Sequence, residues 1–361
     1  MESKKVLVAM SGGVDSSGAA VLLQQQGYSC DGVMLRLYDN EAVGLPGEST
    51  CCSADDVADA RSAAFRLGMK FYVFNFTDAF RRDVMDHFVS EYSAGRTPNP
   101  CIDCNRCMKF GALMDRALAL GYDYLATGHY ARVGRDEKTG RYLLLRGRDH
   151  RKDQSYVLYQ LTQHQLSHLL LPVGEYDKPA IRGLAAQAGL LNAHKPDSQD
   201  ICFVPDGDYV RFLQTYGHLK LEPGNFVDRE GRVLGRHKGL PCYTGGQRKG
   251  LGVSAGKPVY VVSKDAEHNT VLLGDESDLY AVELTAGQVN WISQPEPEAP
   301  LRVTAKTRYS QREAAATVTP LPDHRMQVTF DAPQRAVTAG QAVVLYQGDT
   351  VVGGGTIESA Q

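Results

Sequence analysis

Blocks of apolar and polar residues alternate along the first half of the chain. Short apolar runs lie at Val6–Met10, Gly32–Leu37, Lys70–Phe76 and Tyr124–Thr127. Between and after them, apolar residues recur at helical spacing in Asp15–Gln26, Ala54–Leu67, Phe80–Ser93, Met108–Leu120, Gln163–Leu170 and Lys178–Ala188. Strands that alternate with helices predict an α/β fold with a doubly wound parallel sheet. In such sheets ligands bind beyond the carboxyl ends of the strands.

The pattern changes near Pro205. The stretch PDGDYVRFLQTYG has the spacing of one short helix, and short strands follow it, with DREG and DAEHNT as hairpin turns. After Asp278 the chain has the pattern of short strands only, interrupted by a proline-rich break at Ser293–Pro300. We therefore expect an N-terminal α/β domain over residues 1–204, a small central domain rich in β over 205–277, and a C-terminal β-barrel over 278–361.

Composition narrows the class of protein. The chain has 361 residues, of which 43% are hydrophobic and 22% charged, as is usual for globular proteins of two or three domains. No 18-residue apolar run is present, so we expect no membrane span. A charged N-terminus that leads into a strand is unlike a signal peptide. Eight cysteines are too few for a disulfide-stapled secreted domain, so we expect a cytoplasmic protein.

Basic residues are concentrated in three stretches, although the net charge is −3. Arg141–Asp153 holds five basic and two acidic residues, Arg232–Lys249 five basic and none acidic, and Leu301–Glu313 four basic and one acidic. Any one such stretch is commonly a solvated face. Because this chain has three such stretches despite its negative net charge, binding of a phosphate-rich partner and simple solvation of the three faces are equally good interpretations.

The string SGGVDSS, from Ser11 to Ser17, directly follows the first apolar run. It predicts a turn into a helix that Asp15 or Ser16 caps and that Gly27 ends. Glycine amides and a helix N-terminus together suit an anion. The string is neither the P-loop pattern, which needs a lysine, nor the dinucleotide pattern G-x-G-x-x-G. An ordinary glycine-rich turn is the alternative.

Three cysteines are spaced at C-x₂-C-x₂-C in TPNPCIDCNRCMKFG: Cys101, Cys104 and Cys107. We expect a loop there that leads into a helix near Met108, and a helix N-terminus with Arg106 and Lys109 beside it would lower the thiol pKa. Cys202 lies far downstream in PDSQDICF. A pair that meets in space would suit sulfur transfer through a persulfide and a disulfide.

Other interpretations of the cysteines remain open. Zinc sites usually have a second C-x₂-C, and a ferredoxin run needs a fourth cysteine where this chain has Gly111. A cluster held by three cysteines stays an alternative that is not favoured. Cys30 and Cys242 have the character of unreactive buried thiols. A metal or redox role for Cys51 and Cys52 is the weaker alternative at that position.

SGG-x-DS resembles the signature of the ATP pyrophosphatases, and the whole set of motifs is more specific. SGGVDSS, TPNPCIDCN, ATGHYA, KDQSYVLY, SQDICF and TGGQRKGL, in this order, closely resemble the tRNA-specific 2-thiouridylases over nearly the whole chain. The resemblance implies an ATP pyrophosphatase domain, a small central domain and a C-terminal β-barrel. It also implies ATP and Mg²⁺ as cofactors, tRNA as a partner, and a persulfide donor protein such as a cysteine desulfurase or relay protein.

The resemblance assigns roles to individual residues. Cys104 matches the nucleophile and Cys202 the persulfide carrier, and the two are expected to form a disulfide during turnover. Asp15 is expected to act through Mg²⁺. Residues expected at ATP are Ala9, Met10, Ser11, Gly12, Gly13, Val14, Asp15, Ser16, Met34 and Gly128. Residues expected at tRNA are Asn99, Pro100, Cys101, His129, Lys152, Asp153, Gln154, Arg308, Tyr309 and Gln341.

One position departs from the family. Some members have Asp where this chain has Cys101, so a carboxylate acid/base role is in doubt there. Two alternatives to wobble-uridine 2-thiolation are carried forward. One is another ATP pyrophosphatase, either a ligase or an amidotransferase, which needs no paired cysteines. The other is a tRNA-thiolating enzyme that uses an iron–sulfur cluster, or an RNA-binding module with a structural metal cluster and no turnover.

Overall fold

The computed structural model describes residues 3–39, 54–196, 201–254 and 256–361. Cys51 and Cys52 lie outside the described residues. No helix in the described part is long and apolar enough to cross a membrane.

The N-terminal region is a parallel sheet covered by helices. Its strands are β1 (Lys5–Ala9), β2 (Ser29–Arg36), β3 (Phe71–Asn75) and β4 (Tyr124–Ala126), then the hairpin β5 (Ala131–Arg135) and β6 (Tyr142–Arg146), and β7 (Leu169–Leu170). The sheet order is β3-β2-β1-β4-β7, and all these pairs are parallel. This confirms the predicted α/β class.

Helices connect these strands. They are α1 (Val14–Gln25), α2 (Ala54–Arg66), α3 (Thr77–Phe80), α4 (Asp86–Ser93), α5 (Pro100–Asp103), α6 (Met114–Ala119), α7 (Gln163–Ser167), α8 (Lys178–Gln187) and α9 (Tyr209–Thr215). Turns of π type at Arg81–Met85 join α3 to α4, and turns of π type at Cys104–Leu113 join α5 to α6. Single 3₁₀ turns lie at Ser155–Leu158, Pro172–Glu175 and Leu191–His194.

Strand β1 shows why the sheet is doubly wound. Successive side chains of a strand point to opposite faces. Leu7 packs into one hydrophobic cluster with Val33 and Leu125, whereas Val6 and Val8 pack into a second cluster on the other face. Val6, Leu7 and Val8 of β1 are all fully buried. A strand whose two faces are both covered must be apolar at every position, as the VLV run is.

The central region has its own small sheet. Its strands β8 (Gly224–Val227), β9 (Val233–His237), β10 (Tyr260–Asp265) and β11 (Thr270–Gly274) are arranged in the order β10-β11-β8-β9. DREG and DAEHNT connect the antiparallel pairs β8–β9 and β10–β11, which confirms both predicted hairpins. Single 3₁₀ turns lie at Leu240–Cys242 and Glu276–Leu279.

The C-terminal strands close into a barrel. They are β12 (Tyr280–Trp291), β13 (Leu301–Lys306), β14 (Ala314–Leu321), β15 (Arg325–Arg335), β16 (Ala342–Gln347) and β17 (Thr350–Ala360). Closure comes from the β12–β17 pairing, so the predicted barrel is confirmed. The sheet also extends beyond the barrel, because β17 pairs with β6 of the N-terminal region. The sequence pattern did not predict that shared sheet.

Candidate active site

The SGGVDSS loop lies at the carboxyl end of β1, where the fold predicts a ligand. Gly12 has a φ of +76°, and a Cβ there would stand 2.7 Å from the carbonyl oxygen of Asp56, so only glycine fits. Gly13 occupies the N-cap of α1. The predicted cap by Asp15 or Ser16 was therefore wrong: the Ser16 hydroxyl turns back to donate to the Gly13 carbonyl, over 3.1 Å. Gly27 follows with the predicted left-handed φ of +86°.

Asp15 is held by two side chains that the sequence analysis did not single out. Lys178 Nζ lies 2.8 Å from each carboxylate oxygen, and the Tyr130 hydroxyl donates to Oδ1 over 2.7 Å. The Lys178 side chain is only 9% exposed, whereas that of Asp15 is 30% exposed. Because the Lys178 ammonium is buried, it must keep its hydrogen-bond acceptors, and this requirement holds the Asp15 carboxylate in one orientation. Asp15 is therefore oriented at the mouth of the loop.

Asn192 fixes the loop from the other side. Its amide nitrogen donates to the Gly12 carbonyl and to Ser17 Oγ, each over 2.9 Å. These bonds fix the backbone of the loop, and a glycine-rich turn at a helix N-terminus is an arrangement that binds anions. No local motif marks Lys178 or Asn192, because both come from segments more than 160 residues downstream of the loop.

The two other predicted nucleotide residues lie next to this loop. Gly128 follows β4, and a Cβ there would come within 2.6 Å of the Ser16 backbone nitrogen and 2.7 Å of the Asp15 carbonyl carbon. Gly128 thus packs directly on the N-terminus of α1. The Met34 side chain is 2% exposed and lies in the core cluster that includes Met10 and Val14.

Cys104 lies in a helical stretch that starts earlier than predicted. The segment before Met108 is not a loop, because α5 begins at Pro100, with Asn99 as its N-cap accepting from the Cys101 N–H over 3.2 Å. Proline at the first helical position and asparagine at the N-cap are both favourable. Turns of π type then include Cys104. Such turns are frequent at functional sites.

Cys104 and Cys202 pack in the same hydrophobic cluster. Cys104 is 8% exposed and belongs to the buried part of that cluster, while Cys202 packs against it half-buried. The neighbouring Phe203 ring contacts those of Phe80 and Phe88, with centroids 5.7 and 5.3 Å apart. The Tyr38 hydroxyl, just after β2, donates to the Cys202 carbonyl. Both predicted reactive cysteines therefore lie in one hydrophobic cluster, which also contains Leu37 and Tyr38 just beyond the carboxyl end of β2.

Burial makes the thiols of three other described cysteines less acidic. Burial raises the pKa of Cys107, so the predicted lowering by the helix and its basic neighbours was wrong for that residue. Burial raises the pKa of Cys30 to about 11 and also raises that of Cys242, in keeping with unreactive thiols. Within the described ranges, no group of three or more His, Cys, Asp or Glu is arranged to hold a metal ion.

Two of the residues predicted at tRNA, His129 and Asp153, are buried and bonded to neighbouring groups of the protein. His129 is buried beside Phe110, and its Nδ1 lies 2.7 Å from Thr127 Oγ1; burial, with a contribution from Lys109, holds its pKa well below the ordinary value. Asp153 accepts from the Gly147 and Ser155 N–H groups, each over 3.1 Å.

Cys101, another residue predicted at tRNA, is exposed. Tyr309 is 43% exposed, and its pKa is raised chiefly by burial and then by the charges of Asp153 and Cys101. Lys152 is half-buried on the same basic segment as Arg148 and Arg151. The Gln154 side chain accepts from the Tyr130 N–H over 2.9 Å, which ties this segment to the Asp15 site.

A crevice separates the helical stretch of Cys104 from the barrel. Its volume is about 340 Å³, and its lining includes Pro98, Asn99, Asp103, His87 and Gly340. His87 Nδ1 lies 3.0 Å from Asp103 Oδ2, and this hydrogen bond raises the pKa of His87. Arg106 approaches the other oxygen of Asp103 to 3.0 Å.

Comparison with known proteins places this architecture in one family. Three family models match the chain in succession: a tRNA methyl transferase HUP domain at residues 4–206, a tRNA methyl transferase PRC-barrel domain at 210–275, and an aminomethyltransferase beta-barrel domain at 281–357. The first of these alone covers more than half of the chain.

Full-length relatives are more specific. The chain is 52% identical to the tRNA-specific 2-thiouridylase MnmA of Acetivibrio thermocellus, over 99% of this chain and 100% of the relative. It is 55% identical to the protein of the same name from Moorella thermoacetica, over 98% of this chain and 99% of the relative. Identity at this level over the whole length, with all three domains matched, shows that the chain belongs to the tRNA-specific 2-thiouridylase family.

Proposed function

We propose that this protein uses ATP to replace the 2-oxygen of the wobble uridine in tRNA with sulfur. The carrying observation is the convergence of three parts at one edge of the sheet. The SGGVDSS loop lies there after β1, Gly128 after β4, and the cysteine pair Cys104 and Cys202 beyond β2. An anion loop alone fits many ATP enzymes, whereas a loop with a converging cysteine pair fits activation followed by sulfur transfer.

The first step is transfer of AMP to the uridine. The C2 carbonyl has no leaving group, and attack of its oxygen on the α-phosphate of ATP supplies one and releases pyrophosphate. Catalysis of such a step is mainly positioning and charge neutralisation. The amides of Gly12 and Gly13 would bind pyrophosphate, whereas the Ser11 N–H donates to Ser16 Oγ over 3.2 Å. Asp15 would hold Mg²⁺, since carboxylate oxygens are its preferred ligands and this carboxylate is partly exposed and oriented. Mg²⁺ would neutralise phosphate charge.

The second step is sulfur transfer. The terminal sulfur of a Cys202 persulfide attacks C2, AMP leaves, and a C2–S–S–Cys202 linkage forms. The Cys104 thiolate then attacks Cys202 Sγ; the S–S bond to the uridine breaks, its electron pair stays on the thiocarbonyl sulfur, and a Cys104–Cys202 disulfide forms. Two thiol equivalents must reduce that disulfide, and a donor protein must reload the persulfide, before the next turnover.

The tRNA would approach along the basic segment and the exposed cysteine. The Arg148 and Arg151 side chains are 63% and 83% exposed, which suits phosphate contacts. Tyr309, near Cys101, offers a ring on which an unstacked base can rest. The target base must leave its stack to reach the cysteines.

The proposal is tested with Cys104→Ser and Cys202→Ser, and with Cys242→Ser as the matched control in the central region. We expect each of the first two variants to lose 2-thiouridine formation, measured by mass spectrometry of digested tRNA, while tRNA-dependent pyrophosphate release continues. The control variant keeps both activities. Thiolation retained by either active-site variant would remove that cysteine from the mechanism.

The same assays separate the alternatives. Pyrophosphate release that needs no tRNA would favour another ATP pyrophosphatase, either a ligase or an amidotransferase. Stoichiometric iron in anaerobically purified protein, together with thiolation lost on its removal, would favour an iron–sulfur cluster.

A further inference from the structure

A turn of the barrel contacts the segment that leads to Cys101. This barrel turn, Ala336–Gln341, connects β15 to β16. The Thr97 N–H donates to the Ala339 carbonyl over 3.0 Å, and Gln341 Nε2 donates to the carbonyls of Thr97 and Pro98 over 2.8 and 3.4 Å. One of these bonds joins two backbones and the other two join the Gln341 side chain to the backbone of Thr97 and Pro98, so the barrel holds the chain just before α5.

The contact leaves no room for a side chain. Gly340 has a φ of +89°, and a Cβ there would stand 2.8 Å from the Thr97 nitrogen and 3.0 Å from Arg96 Cβ. Real Cβ atoms do not approach backbone so closely. The glycine therefore serves both the left-handed backbone conformation and the close approach.

The other end of the barrel turn is anchored to the central region. Arg308 Nη2 donates to the carbonyls of Gly245 and Ala336 over 3.2 and 2.8 Å, and to Thr338 Oγ1 over 2.8 Å. A Cβ at Gly245 would lie 3.0 Å from Thr338 Oγ1, so these two segments also touch closely. The Nε of Arg308 is buried without a hydrogen-bond partner among the described residues. The Arg308 guanidinium thus bonds to groups of the protein itself, on the barrel turn and on the central region.

The position of the Thr97–Pro98 backbone determines where the cysteines stand. Asn99 follows at once and caps α5, and Cys101 and Cys104 lie in the first turns that this cap starts. Because helix turns are rigid, a shift at Thr97 moves both thiols together. A displacement of about 1 Å at a reacting group lowers a rate by up to about 100-fold.

We propose that the barrel turn Ala336–Gln341 is a brace for segment 97–101, and that Gln341 is a positioning residue of the sulfur-transfer reaction. It acts through Thr97 and Pro98 rather than by contact with RNA, which differs from the role that family resemblance gave it. The kinetic part of this inference rests on the proposed function; the structural part does not.

The test is Gln341→Met, which keeps side-chain length and removes both N–H donors. Gln347→Met is the matched control, because Gln347 lies at the opposite end of β16, is exposed, and likewise donates to a backbone carbonyl, that of Arg302, over 2.9 Å. We expect the single-turnover thiolation rate at saturating tRNA to fall about 5- to 10-fold in Gln341→Met, the loss of one to two hydrogen bonds. We also expect the Kd for tRNA to stay within about 2-fold, and the control to match wild type.

Hydrogen exchange supplies a readout without turnover. The Thr97 amide, which donates to Ala339, should exchange about 10-fold faster in Gln341→Met and unchanged in Gln347→Met. Gly340→Ala, which must displace the same segment, should accelerate this exchange and slow thiolation in the same way, and it serves if Gln341→Met folds poorly.

Two outcomes would overturn the brace. A raised Kd for tRNA, with the wild-type rate restored at saturating tRNA, would make Gln341 an RNA contact. Unchanged Thr97 exchange would show that the barrel turn does not hold the segment. If wild-type protein failed to thiolate tRNA, the proposed function would fall, whereas the exchange result would still decide the brace.

Discussion

Gly128 gives the sharpest test of the nucleotide site. In Gly128→Ala, the new Cβ would meet the Ser16 nitrogen at 2.6 Å and the Asp15 carbonyl carbon at 2.7 Å, where ordinary contact begins at 3.4 Å. The overlap is with backbone, so no side-chain rotation relieves it. The N-terminus of α1 must move by about 0.5–1 Å, and overpacking of this kind costs about 1–3 kcal/mol of stability.

The displaced atoms are those that would bind pyrophosphate. We therefore expect the Kd for ATP, measured by titration calorimetry, to rise about 10- to 100-fold, well beyond the loss of stability measured by urea unfolding. Gly183→Ala is the control, because Gly183 lies inside α8 and a Cβ there would meet no described atom within 4 Å. Alanine in a helix interior is expected to add about 0.5–1 kcal/mol of stability. Wild-type ATP affinity in Gly128→Ala would refute the reasoning.

Three further predictions concern charge. Lys178→Met removes the cation 2.8 Å from both Asp15 oxygens, so ATP binding in the presence of Mg²⁺ should weaken about 10-fold by calorimetry; an unchanged Kd would separate this pair from the nucleotide. The hydrogen bond to Asp103 raises the pKa of His87, while Glu91 adds to and Arg106 opposes that effect. A raised pKa means that protonated His87 stabilises the native state. The difference in melting temperature between wild type and His87→Gln should therefore be largest below pH 6.5 and should decrease as the pH rises through the raised pKa. A constant difference between pH 5 and 9 would contradict this. Arg151→Glu should weaken tRNA binding for all sequences and flatten the salt dependence by about 1 per lost phosphate contact; parallel salt plots would contradict it.

Much of the architecture follows from local pattern. The VLV run of β1 has apolar residues at every position because both faces of the strand are covered, and Gly12 of SGG is required by the left-handed turn after it. Hairpin turns such as DREG are short-range features, so their sequence alone predicts them. The start of α5 is also a local feature, because Asn99 followed by Pro100 is a favourable N-cap and first helical position.

The parts that the sequence did not predict depend on long-range contacts. Lys178 and Asn192 reach the loop across more than 160 residues, and nothing near either residue marks a nucleotide site. His129 follows β4 within a motif of the family, yet its burial depends on Phe110 from a different helical stretch. Burial likewise decides the raised pKa of Cys107, against the sign expected from its basic neighbours. The spacing of residues along the sequence does not show how strongly burial will desolvate an ionisable group.

The shared sheet has a consequence for how this chain can be taken apart. Leu145 of β6 pairs with Thr350 of β17, and the Arg146 N–H donates to the Asp349 carbonyl over 2.9 Å. A fragment truncated before the barrel would end with β6 as an open edge, its unpaired amides ready to recruit a neighbouring molecule. Such a fragment should precipitate or self-associate on expression, even though its ATP loop is intact. The β5–β6 hairpin lies in the chain between β4 and β7 of the parallel sheet, so no single cut can leave it with the barrel. Modular dissection or domain grafting in this family should therefore keep the barrel and the N-terminal region together.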